Sequence, residues 1–318
     1  MSPGGGAEGV ARLRRVIAEI EAEAGPAGIR TTGERLARRL PLARAFDSAL
    51  SGGLADDALH EIAPAKPADG AAAMGFALAL AARFLSRRPA SALLVSDGFA
   101  AEELGALYGP GLVAHGLSLS RLVFVRAPDA ALAFWAMEEA LKCGAPAAVV
   151  GEIWNLKRYG LAASRRLLLA ARKGKVPALL ILASAYGQAE RLSSAAETRF
   201  EIAAAPSARI PAAAGPDLPG PFTCGARLVK ARLVPVAALA ERGGAVIDRV
   251  YNSAEAHDPD RVIRLEWRSQ DLTFQDRTFK DITFKDMTLK DMGVDDQAIS
   301  LPLAAAAGDR PRAASRPR

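Results

Sequence analysis

The segment Leu59–Leu80, LHEIAPAKPADGAAAMGFALAL, has the layout of a strand, a phosphate-binding turn and a helix. Phosphate loops follow G-x-x-x-x-G-K-[ST]: successive backbone N–H groups cradle the phosphates, the lysine adds a point charge and the hydroxyl holds magnesium. With Gly70 on the second glycine, Ala65 stands for the first, Ala71 for the lysine and Ala72 for the hydroxyl, so three of the four defining positions are lost. Pro64 and Pro67 remove backbone donors. Asp69 sets a negative charge beside the would-be phosphates, and Lys66 lies on the wrong side of the loop to replace the missing lysine. Each lost charge-assisted hydrogen bond is worth roughly 1.5–3 kcal/mol. Two or three such losses weaken binding by orders of magnitude. The loop therefore predicts no ATP hydrolysis and no bound cofactor, catalytic residue or metal.

Two carboxylates stand at the ends of apolar runs. Asp97 closes LLVSD, where a catalytic acid would stand; Glu152 follows Gly151 after AAVV, about one place from a magnesium-positioning acid. Lone carboxylates at such ends mostly cap helices. No Ser-His-Asp, Cys-His or paired-carboxylate constellation stands out. Cys143, Cys224, His60, His115 and His257 are scattered, with neither zinc spacing nor a disulfide framework. Two cysteines in a chain of 318 residues suit a reducing cytosol. The segment SRRLLLAARKGK carries Arg165, Arg166, Arg172, Lys173 and Lys175, with Arg165 and Arg172 on one helical face. Such a row could follow a nucleic-acid backbone, or it is a solvated helix whose cationic C-terminus suits the helix dipole. Few aromatics accompany it to stack on single-stranded bases.

These residues need a scaffold. Apolar runs at residues 58–62, 92–96, 121–125, 147–150 and 178–183 alternate with helix-like stretches at 71–86, 100–107, 129–142 and 161–172. Uninterrupted apolar strands separated by helices predict an α/β fold, a mostly parallel sheet covered on both faces. After Arg191 the segments TRFEIAAA, ARLVKARLV and RVIRLEW read as strands without helices between them, an antiparallel extension. Residues 9–24 read as an amphipathic helix with Leu13, Ile17 and Ile20 on one face. It either packs on the body or docks on a partner. At the other end, LTFQD RTFKD ITFKD MTLKD is a five-residue repeat of four units. Four units make one coil without a stacked neighbour, so the repeat reads as a solvated tail, the alternative being a partner-binding strand or helix. The expected organisation is an N-terminal helix and linker (1–40), an α/β core (41–205), a strand extension (206–270) and a repeat-containing, basic, disordered tail (271–318). The net charge is +6, of which DRPRAASRPR supplies +3, so charge alone does not imply a nucleic-acid partner. The N-terminus is not a signal peptide, and the longest apolar run, near residues 71–82, is too short to span a bilayer. The chain reads as cytoplasmic.

The stretch LPLARAFDSALSGGLADDALHEI, with Leu40, Pro41, Phe46, Asp47, Leu50, Gly52, Gly53, Leu54, Leu59, His60, Glu61 and Ile62, resembles the start of the core in the ImuA family, RecA-like accessory proteins of SOS-inducible mutagenesis. The resemblance covers about residues 30–267, weakens after Pro206, and has no counterpart for the repeat. It implies a RecA-like core that often lacks a competent phosphate loop. It also implies a non-enzymatic scaffold or regulator working with RecA, an inactive Y-family polymerase homologue and an error-prone DnaE-type polymerase in translesion synthesis, at the nucleoid when DNA is damaged. A related resemblance is to SOS-induced cell-division inhibitors. Two further alternatives are an atypical RecA-type ATPase completed by a neighbour's residue and a single-stranded DNA-binding module.

Overall fold

A computed structural model describes residues 39–47, 49–211, 218–232 and 261–276. The stripe of Leu13, Ile17 and Ile20 and the repeat units after Asp276 lie outside these residues.

The five expected apolar runs form parallel strands: β3 (Leu59–Pro64), β4 (Ala92–Asp97), β5 (Leu122–Ala127), β6 (Ala148–Ile153) and β7 (Ala178–Leu182). Two short pairs stand outside this sheet, β1 (Arg39–Leu40) with β2 (Leu54–Ala55) and β9 (Arg209–Ile210) with β10 (Leu218–Pro219). The sheet continues through β8 (Thr198–Ala204), β11 (Thr223–Ala231), β12 (Val262–Arg268) and β13 (Thr273–Asp276), in the order β13-β12-β11-β8-β3-β7-β6-β4-β5. The loop-bearing strand β3 is central, flanked by β7 and β8, and the fold is α/β with a mostly parallel sheet.

One expectation needs correction. TRFEIAAA, the first strand of the supposed antiparallel extension, is β8, and it runs parallel to β3. The antiparallel part begins one strand later, at β11. The segment between β7 and β8 carries the chain back to the start of β3, where Glu197 N donates to Leu59 O. It does so through turns without a helix, so no periodic pattern marks the crossover.

The six helices among the described residues are α1 (Arg44–Asp47), α2 (Gly70–Arg87), α3 (Gly98–Leu104), α4 (Gly109–Ala114), α5 (Ala130–Cys143) and α6 (Leu161–Gly174). Alternating strand residues feed two cores. Ile62, Val150, Ile181 and Phe200 pack with α2 on one face; Leu59, Val149, Leu180 and Leu182 pack with α5 and α6 on the other. Strands buried on both faces are mostly apolar, as β7 (ALLIL) is throughout, although β3 carries the buried His60 and Glu61. By length and composition Pro67–Arg87 could cross a membrane, a longer stretch than the sequence suggested, but most of its apolar window is buried in the core.

The residues that carry the family resemblance hold this core together. Phe46 of α1 packs edge-on against Phe200, centroids 5.5 Å apart. Asp47 Oδ1 accepts the Leu42 N–H at 2.6 Å. Gly53, at φ +125°, comes so close to β1 that a Cβ there would lie 2.1 Å from Leu40 O, which only glycine permits. Truncating a fully buried ring such as Phe200 costs about 3–5 kcal/mol.

Candidate functional site

The loop between β3 and α2 is the first place to look for chemistry. A phosphate cradle needs free backbone N–H groups. Here four of them are already bonded within the protein. Ala65 N donates to Ile202 O of β8 at 2.8 Å, Lys66 N to Asp69 Oδ2 at 3.2 Å, and Asp69 N to Lys66 O at 3.0 Å. Gly70 N donates to Pro67 O, and Pro67 has no donor. A short 3-10 turn over Pro67–Asp69 therefore leads directly into α2, with Gly70 itself helical at φ −54°, ψ −44°.

Asp69 closes the arrangement. The sequence places it as a repelling charge beside the phosphates; in the structure it is buried and turned toward β8, where Oδ1 accepts Ala204 N at 3.0 Å. The start of α2 thus carries its own carboxylate, which satisfies the helix dipole intramolecularly. Lys66 and Ala71 are exposed, Ala65 is half-buried and Ala72 is buried. Leu104 of α3 covers Gly70, its methyl 3.5 Å from where a Cβ would stand. The residues present do not fit a bound nucleotide.

The two carboxylates Asp97 and Glu152 lie at the ends of the neighbouring strands β4 and β6, Asp97 last in its strand and Glu152 next to last, with Ser96 opposite Glu152. The sequence reading found no paired carboxylates; the sheet brings Asp97 and Glu152 together, because strands far apart in the chain become neighbours. Their environments differ. Asp97 is the cap of α3, accepting Ala100 N at 2.7 Å, and its other oxygen accepts Trp154 N at 2.9 Å and Asn155 N at 3.3 Å. This is the capping role that strand-end carboxylates usually have. Glu152 has no such partners among the described residues. Burial, with Asp97 nearby, pushes its carboxyl up to about 7. A proton can sit there near neutrality, yet neither Lys66 nor the loop supplies a cation to act with it.

The basic segment forms α6, and all five cations are exposed. They do not make one free row. Arg166 is paired with Glu138 of α5, which also holds Lys142 at 2.7 Å. Lys175 ends the helix in the left-handed conformation at φ +54°, and its carbonyl accepts Arg88 at 3.2 Å. The face shared by Arg165 and Arg172 alternates with the exposed Leu161 and Leu169.

Two features had no mark in the sequence. A groove of about 460 Å³ lies between α4 and β12, lined by His115, Phe222, Glu266, Trp267 and Arg268 among others. His115 stacks on Trp267 with centroids 5.6 Å apart, and its Nε2 lies 2.8 Å from Gly75 O; burial lowers its pKa. Beneath β3, Glu61 is buried against Arg199 at 2.5 Å and accepts the Tyr159 hydroxyl. These pairings join residues 40 to 152 positions apart, which no local spacing reveals.

No family model matches the chain, and no curated protein matches it in sequence. Among solved structures it is similar to the crystal structure of SulA from Pseudomonas aeruginosa, with 23% identity over 39% of this chain and 96% of that one and a TM-score of 0.31. It is also similar to the crystal structure of the RadB recombinase, with 14% identity over 74% of this chain and 98% of that one and a TM-score of 0.39. Both are likenesses of chain path, and neither bears on the site.

Proposed function

We propose that this chain is a non-enzymatic, RecA-like scaffold or regulator of a DNA-damage-induced, error-prone translesion synthesis assembly. The observation that carries the non-enzymatic half is the loop whose N–H groups are consumed by Asp69, Pro67 and Ile202. The DNA-damage half rests on the resemblance of residues 40–62 to the ImuA family. In this reading the partners are RecA, an inactive Y-family polymerase homologue and a DnaE-type polymerase, met in the cytoplasm at damaged nucleoid DNA. Support for docking over chemistry comes from large apolar side chains left in solvent: Tyr108 is 74% exposed, Trp135 58% and Phe124 55%. Exposed aromatics are frequent anchors of protein interfaces.

A second reading, an ATPase completed by a neighbour's residue, draws on the protonatable Glu152. Isothermal titration with ATP and magnesium separates the two. The scaffold reading expects no heat of binding at micromolar nucleotide, and micromolar affinity would overturn it. A pull-down with RecA and the Y-family homologue tests the assembly half, which fails if neither is retained.

A further inference from the structure

The four repeat units share the pattern x-T-[FL]-[QK]-D. The first, Leu272–Asp276, departs from the expectation of a solvated tail: its last four residues are β13, the edge of the sheet, paired antiparallel with β12. Phe274 is buried, its centroid 4.9 Å from Trp267 and 5.4 Å from Phe76. Leu272 lies so close to Gly116 that a Cβ there would fall 2.7 Å from its methyl. The seat thus asks for an apolar residue at the first position, a ring at the third, and a backbone able to pair with β12.

Later units meet the same demands. Ile282–Asp286 offers Ile282, Thr283, Phe284 and Asp286. At the fourth position Gln275 faces the buried Glu266 across the ladder. The later units carry Lys280, Lys285 and Lys290 there, and an opposite-charge cross-strand pair is favourable. The short turn after β12 also forces Leu272 to φ +50°, a conformation that ordinary side chains disfavour. A connection ten residues longer lifts that constraint, and lengthening a flexible loop adds little entropic cost.

We infer that the edge of β12 is a binding groove for T-F-x-D strands, and that Ile282–Asp286 of the same chain exchanges with Leu272–Asp276 in it. The last strand then has two registers ten residues apart, and the unit not seated is left as a spare ligand for the groove.

Thermal unfolding of full-length variants tests this. A buried Phe→Ala change in a domain of this size lowers the midpoint by roughly 6–20 °C. Exchange predicts that Phe274→Ala alone falls well short of that range, because another unit takes the seat. Phe279→Ala/Phe284→Ala/Leu289→Ala together leave the midpoint unchanged, since Phe274 is in place. Adding Phe274→Ala to that triple variant produces the full loss. If Phe274→Ala alone gives the full loss, or if the quadruple variant is no worse than Phe274→Ala, the inference is wrong. A midpoint of Phe274→Ala that rises with protein concentration would assign the spare unit to a second copy and overturn exchange within one chain.

Discussion

Strand β3 and the loop that follows it use charge in opposite ways. Near its start, Glu61 is fully buried and meets a cation: Arg199 donates to it at 2.5 Å and also to Ala189 O, Leu192 O and Ser194 Oγ. Tyr159 completes the cluster, its hydroxyl pKa raised chiefly by burial. Just beyond the strand's end, Asp69 is equally buried but meets only backbone N–H groups. The first arrangement joins β3, β8 and the segment between β7 and β8 through side chains. The second ties a loop to itself and to the end of β8. A loop that spends the N–H groups of Ala65, Lys66, Asp69 and Gly70 internally has few left for a ligand, so the bonds that stabilise it also oppose phosphate binding. The LHEI motif belongs entirely to the first arrangement: Leu59, His60, Glu61 and Ile62 are all buried. Likeness in that motif is likeness of a core.

The largest effect should come from breaking the side-chain cluster. Arg199→Ala leaves Glu61 buried without its cation and should cost about 3–5 kcal/mol in chemical denaturation. Replacing both charges, as Glu61→Gln with Arg199→Met, removes the unpaired charge and should cost clearly less than the single change. If Arg199→Ala loses under about 1 kcal/mol, the cluster does not hold β8 to β3 and the contrast collapses.

Glu152 gives the next effect, in the favourable direction. Its carboxyl titrates at about 7 in the folded chain, against an ordinary value of 4.5. Folding therefore binds a proton between those values, and the group's contribution is most favourable below about pH 4.5. It falls as pH rises through the window and is a constant penalty above about 7. At about 1.4 kcal/mol per unit, Glu152→Gln should raise stability by roughly 3 kcal/mol at pH 8. It should also flatten the loss of stability between pH 5 and 7. An unchanged pH profile would mean that Glu152 ionises normally and that the carboxylate pair is not desolvated.

Asp69 comes third. Asp69→Ala removes acceptors from Lys66 N and Ala204 N, and a hydrogen bond to a charged group contributes about 1.5–3 kcal/mol. A loss of about 2 kcal/mol is expected, with amide exchange accelerated at Lys66 and Ala204 while β3 stays protected. A loss spread over β3 would erase the distinction between the strand and its loop.

The parallel core was legible in the sequence because mostly apolar runs alternate there with helix-like stretches. The missing lysine and hydroxyl were legible too, as Ala71 and Ala72 stand where the pattern requires them. What was not legible depends on contacts across the sheet. β8 looked like part of an antiparallel extension because a strand's direction is set by its crossover, and this crossover has no helix. Asp69 looked like a repelling charge because its acceptor role needs Ala204, which pairs with it only after β8 lies beside β3. TFQD looked like solvent-exposed repeat because Phe274 finds Phe76 and Trp267 only once β12 is in place.

The smallest expected effect is the most discriminating. Ala71→Lys with Ala72→Ser restores the lysine and hydroxyl of a phosphate loop in one step. Ala71 is already exposed, so the lysine can be accommodated, and Ala72→Ser adds one oxygen to a buried position. If the missing side chains alone silenced the site, this variant should bind ATP and magnesium measurably by titration calorimetry. The structure gives a different expectation. Ala65, Lys66, Asp69 and Gly70 still spend their N–H groups internally, Pro67 still lacks one, and Leu104 still covers Gly70. No heat of binding is therefore expected at micromolar nucleotide. Adding Asp69→Gly should begin to open the loop, since it frees Lys66 N and removes the carboxylate at the start of α2. Binding that appears only in the triple variant would locate the block in the backbone; binding already present in the double variant would move it back to the side chains.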